Sequence, residues 1–130
     1  MDIAEYQRNL PGLPKFLGMT FTRIEKDVVI AEIVVRPEHC NPAGTIHGGG
    51  IMAFADTMGA IGTWVNLREG QDTTTIESKT NIFAAAPVGT TLTAESIPLH
   101  RGRRTQVWET NLTRSDGRMV AKVTQTPLVI

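Results

Sequence analysis

The chain has 130 residues, 41% of them hydrophobic and 20% charged, with 13 basic side chains against 13 acidic ones and a single cysteine. That length accommodates one domain with a core of its own, residues 1–130, and leaves no room for a second. The balanced charge gives no global attraction to nucleic acid. Cys40 standing alone excludes an internal disulfide, and no paired Cys and His residues are spaced for a structural zinc site.

Residues 2–10 place Ile3, Tyr6 and Leu10 at helical spacing before Pro11, Gly12 and Pro14, so a short amphipathic helix is expected, with residues 1–16 covering a sheet. Segments 17–24 and 28–35 are rich in β-branched and apolar residues on either side of the polar turn Glu25-Lys26-Asp27, the pattern of a β-hairpin. A Pro- and Gly-rich loop then enters an apolar segment expected to be helical from Gly48–Gly50 to about Asn66. Because it is apolar almost all round, that helix is expected to be buried in the middle of the domain. Its Gly59, Ala60, Gly62 and Thr63 form a small-residue surface on which another backbone could approach. Four strands are predicted after it, at 73–84, 90–99, 105–114 and 118–128. The intervening turns are Pro87-Val88-Gly89, residues 100–104 and Ser115-Asp116-Gly117. One central helix with about six antiparallel strands indicates an α+β fold with the sheet wrapped around the helix, whose free edges favour dimerisation. No basic and apolar leader pattern is visible at the start, and the apolar run 51–65 is too short for a membrane span and contains Asp56. A cytoplasmic protein with no membrane partner is therefore expected.

Asp56 is the anomaly of the central stretch, because Asp is a poor helix-interior residue and costly to bury. Gly48, Gly49 and Gly50 stand at the helix start, where first-turn amides lack intrahelical acceptors and the macrodipole favours an oxyanion or a phosphate. A tight turn packed on a strand accounts for three glycines equally well. Neither the Walker A nor the dinucleotide glycine pattern is present. Asp56 lies eight residues beyond Gly48, roughly 12 Å along a straight helix, so one small carbonyl cannot easily meet both within one chain. If both act on it, they come from different subunits of a dimer with two equivalent sites.

The run Asn41, Gly44, His47-Gly48-Gly49 and Asp56, then TTIESKTNIFAAAPVG and later HRGRRTQVWE, resembles the hotdog-fold acyl-CoA thioesterases of the PaaI type, which include phenylacetyl-CoA and hydroxybenzoyl-CoA thioesterases. The likeness extends over residues 17–128. It implies a curved antiparallel sheet around one long helix, a homodimer as the minimal unit and a homotetramer as the expected assembly. It also implies hydrolysis of an acyl-CoA to a free acid and coenzyme A, with no metal and no cofactor apart from the coenzyme A of the substrate. By this resemblance Asp56 is the nucleophile or the general base, Gly48 is the amide donor to the thioester oxygen from the opposite subunit, and Asn41 and His47 line and orient the site. Gly49 is expected to contact substrate. Glu77 stands where relatives place a polar residue facing the thioester, although a surface pair with Lys79 explains it equally well. Arg101, Arg103 and Arg104 are expected to meet the nucleotide phosphates, a role that suits guanidinium groups; the alternative is a solvated hairpin turn. Phe54, Met58 and Phe83 are candidates to line an aryl or medium-chain acyl group, while Trp64 and Trp108 read as core or interface residues. The competing function is a non-catalytic acyl-CoA binding or sensing module, which would keep the arginines and glycines but would not need Asp56.

Overall fold

The computed structural model describes residues 2–130. Two short helices, α1 (Ile3–Arg8) and α2 (Gly12–Leu17), precede strands β1 (Thr20–Glu25) and β2 (Val28–Val34). The long helix α3 (Gly48–Trp64) follows, and then β3 (Thr73–Ile82), β4 (Thr91–Arg101), β5 (Gln106–Arg114) and β6 (Met119–Val129). The six strands form one antiparallel sheet in the order β1-β2-β4-β5-β6-β3. β2 lies near one edge of the sheet and β3 forms the other. α3 therefore crosses the sheet between them and touches all six strands. This is the hotdog fold.

α2 was not anticipated. Pro14 lies in its first turn, where backbone amides have no helical acceptor, so a proline there does no harm. The helix ends at Gly18, whose φ of +71° is in the left-handed region open to glycine. Consequently β1 begins at Thr20 and not at residue 17. α1 docks on the edge of β1: Gln7 donates from Nε2 to the Met19 carbonyl at 2.8 Å and accepts at Oε1 from the Phe21 amide at 2.9 Å.

The register shifts at four places in the sheet, and those in β1 and β3 decide which side chains face α3. In β1 the register shifts between Phe21 and Arg23, so Phe21 and Ile24, three apart, both point into the core. In β3 it shifts between Thr75 and Glu77, so Thr75 before the bulge and Ser78 and Thr80 after it face α3, while Glu77, Lys79 and Asn81 face away.

α3 is apolar on both sides but buried on one. Ile51, Phe54, Ala55, Met58, Gly59, Gly62 and Thr63 pack on the sheet, whereas Met52 and Trp64 are exposed and Asp56 and Ala60 are half-buried. The expectation of a helix buried all round is corrected accordingly, since a helix lying on one sheet has one covered face. The small-residue surface is corrected too. A Cβ at Gly59 would lie 2.1 Å from the Gln125 amide, and one at Gly62 would lie 2.7 Å from the Trp108 ring. These glycines seat side chains of the chain's own sheet.

Candidate active site

The loop before α3 is locked by its own polar groups. Asn41 Nδ2 donates to Thr45 Oγ1 at 3.0 Å, and Asn41 Oδ1 accepts from the Ala43 and Thr45 amides at 3.0 and 3.3 Å. His47 is the N-cap of α3. Its Nδ1 accepts from the Gly49 amide at 2.8 Å, its own amide donates to the His39 carbonyl at 2.9 Å, and its carbonyl accepts from the Gly50 and Ile51 amides. The Gly48 amide alone in this turn has no acceptor among the described residues. The helix start therefore offers one open donor, with the macrodipole behind it. Gly49 is no second donor, because the His47 ring closes its amide, and Asn41 has both ends of its side chain engaged within the loop. Asn41 and His47 shape the glycine turn.

Asp56 is half-buried on α3, eight residues from Gly48 and about 12 Å along the axis. Thr75 Oγ1 on β3 donates to its Oδ1 at 2.7 Å. Among the described residues nothing donates to the second carboxylate oxygen. Thr75 was missed in the sequence. Three threonines, 73 to 75, begin the strand, and which of them meets the helix depends on the bulge at Ile76.

Glu77 lies on the far face of β3, opposite Thr126, and no ion pair joins it to Lys79 among the described residues. It stands away from the Asp56 of its own chain. Of the three arginines, Arg101 and Arg103 stay together and Arg104 stands apart. Residues 100 and 101 belong to β4, and Arg101 is tied to Asp27 at 2.7 Å and to the Lys26 carbonyl at 2.9 Å, bracing the β1–β2 turn. Arg101 and Arg103 both line a cleft of about 320 Å³ with Asn66, Arg68, Gln71 and Gln106, whereas Arg104 lies outside its lining. Phe54 and Met58 are wholly buried in the core, so they line no site on the Asp56 side, while Phe83 is exposed.

Residues 43–121, the span from the glycine turn through Asp56 and Thr75 to β6, match the thioesterase superfamily. The chain belongs to that superfamily. Its relatives include the proofreading thioesterase EntH of Klebsiella pneumoniae, 35% identical over 94 residues that cover 72% of this chain and 67% of the relative. The PaaI protein of the Escherichia coli phenylacetic acid degradation operon has the same fold, with a TM-score of 0.88 at 20% identity over 98% of this chain and 90% of that one. A hypothetical thioesterase protein of Streptococcus pneumoniae solved with coenzyme A superposes with a TM-score of 0.80 at 26% identity, covering 86% of this chain and 85% of its own.

A thioesterase needs a group that attacks the carbonyl or activates water, and a donor for the oxyanion that forms. A carboxylate with one oxygen fixed and the other open meets the first need. An amide without an acceptor at a helix start meets the second. In one chain the two stand farther apart than the width of a thioester.

Proposed function

We propose that the protein hydrolyses acyl-CoA thioesters at two equivalent sites of a homodimer, each combining Asp56 of one subunit with the Gly48 amide of the other. The observation that carries this reading is the open Gly48 amide in a turn whose other amides are all bonded, on the same helix as a carboxylate about 12 Å away. A two-fold axis that sets two α3 helices antiparallel brings each carboxylate to the other chain's glycine turn. β3 is the uncovered edge for such pairing: it is ten residues long, and Ile76, Ile82 and Phe83 at or beside it are more than half exposed.

At each site the oxyanion is held by the amide. Asp56 either attacks the carbonyl, giving an anhydride that water cleaves, or takes a proton from the attacking water; both routes release the acid and coenzyme A. The acyl group is aryl or medium-chain, accommodated along the exposed face of α3 that bears Met52, Asp56, Ala60 and Trp64. The nucleotide phosphates are held by Arg101 and Arg103 with Arg68, which share the cleft at the far end of α3. Dimers pair further into a homotetramer through the outer face of β4, where Ile97 and Leu99 are exposed away from the β3 edge.

Thiol release from aryl, short and long acyl-CoAs tests the reading. Asp56→Asn is expected to lower kcat by about two to four orders of magnitude, and equal rates for the two proteins would sink the role of Asp56. Turnover by no substrate would leave a binding module instead.

A further inference from the structure

The inner face of β3 and β6 beneath α3 is polar where a core is ordinarily apolar. Ser78 lies opposite Gln125, Thr80 lies opposite Val123, and Gln125 also lies opposite Trp108. Gln125 is wholly buried. Its Nε2 donates to the main-chain carbonyl of Asp56 at 3.0 Å, reaching it through the notch left by Gly59. Among the described residues its Oε1 has no hydrogen-bond partner, and neither do the hydroxyls of Ser78 and Thr80.

An amide buried with its acceptor unmet is costly, and an apolar side chain of similar size would fill the notch without that cost. The Asp56 carbonyl, inside a helix, already has its regular partner four residues on, so Gln125 adds a second donor that helix formation does not require. What the bond does is set the position of α3 over β6 at the residue whose carboxylate Thr75 holds from β3. Asp56 is thus pinned by its main chain from one strand and by its side chain from the adjacent one.

We infer that Gln125 is a positioning residue for thioester hydrolysis, fixing the Asp56 main chain so that the open carboxylate oxygen meets the substrate carbonyl. The inference rests on Asp56 being the reacting carboxylate. It separates from mere filling of the notch in the pair Gly59→Ala and Gln125→Ala. Gly59→Ala alone drives a methyl into the Gln125 amide and lowers the Tm; combining it with Gln125→Ala removes the clash and restores the Tm toward wild type. If Gln125 only fills space, kcat returns with the Tm. If it positions Asp56, the double variant stays roughly ten- to a hundredfold low in kcat, with KM little changed. Gln125→Leu, of similar size and without the amide, is expected to show the same loss of kcat at unchanged KM and serves if the double variant does not fold. Wild-type kcat in either folded variant would overturn the inference while leaving the thioesterase reading intact; a wild type that turns over no acyl-CoA would overturn both.

Discussion

Among single residues, the sharpest distinction is between neighbouring glycines. Gly48 and Gly49 differ by one position, yet the amide of one is open and that of the other is capped by the His47 ring. Gly48 is the first residue of α3, a position where proline fits a helix, and His47 before it has the extended φ of −62° and ψ of 139° that a following proline accepts. Gly48→Pro therefore removes the donor and adds a Cβ 3.3 Å from Ile82 Cδ1, the far end of a side chain that is half exposed and can shift. It is expected to cost about two to three orders of magnitude in kcat while the melting temperature stays near that of wild type. A Gly48→Pro enzyme that is stable and fully active would show that the oxyanion is held elsewhere.

The packing of elements explains why the central helix is poor in bulky side chains where it meets the sheet. Gly62 allows the Trp108 indole to lie against the helix backbone, with Trp108 Nε1 bonded to Gln106 Oε1 at 2.9 Å beneath. Gly62→Ala places a methyl 2.7 Å from the ring, with no flexible end to give way. About 1–3 kcal/mol of stability is expected to be lost, measurable by denaturant unfolding. At the β5–β6 hairpin a charge effect operates. Asp116 accepts from the Arg114 guanidinium at 2.6 Å and from the Arg118 amide at 3.1 Å, and these bonds, that of Arg114 first, hold its carboxyl at about 2, below the ordinary carboxylate range. A carboxyl depressed in the folded state stabilises above its unfolded value, and that contribution disappears as the pH falls through about 2. Asp116→Asn should therefore lose less Tm than wild type between about pH 4 and pH 2. Asp116 is exposed to solvent, so the difference is small, and parallel Tm curves would refute it.

For the whole molecule, the two sheet edges are treated differently. The Gln7 side chain bonds the β1 edge, whereas β3 ends the sheet with exposed apolar residues. The proposed dimer uses that second edge. Replacing Ile76 and Phe83 together by Asp is expected to give a folded monomer with little thioesterase activity, read by light scattering and thiol release on the same sample. An active monomer would show that one chain suffices.

The α+β class, the six strands and the central helix were legible in residues such as Val29, Ala31 and Ile33 or Leu92 and Ala94, because burial on one face of a sheet forces alternation in the text. Asp56 and the glycine turn were legible for the converse reason: they break what local structure prefers. Thr75, Gln125 and the outward turn of Glu77 were not, since each depends on strand register, and the single bulge at Ile76 reverses the facing of every residue after it. The partner of Arg101 also needed the fold, because Arg101 meets Asp27 across 74 positions of chain. Sequence by itself determined the six strands, the central helix and which residues are chemically out of place in them, though not α2; only tertiary structure decided which atoms those residues meet, because hydrogen bonds act over a few ångströms between groups far apart along the chain.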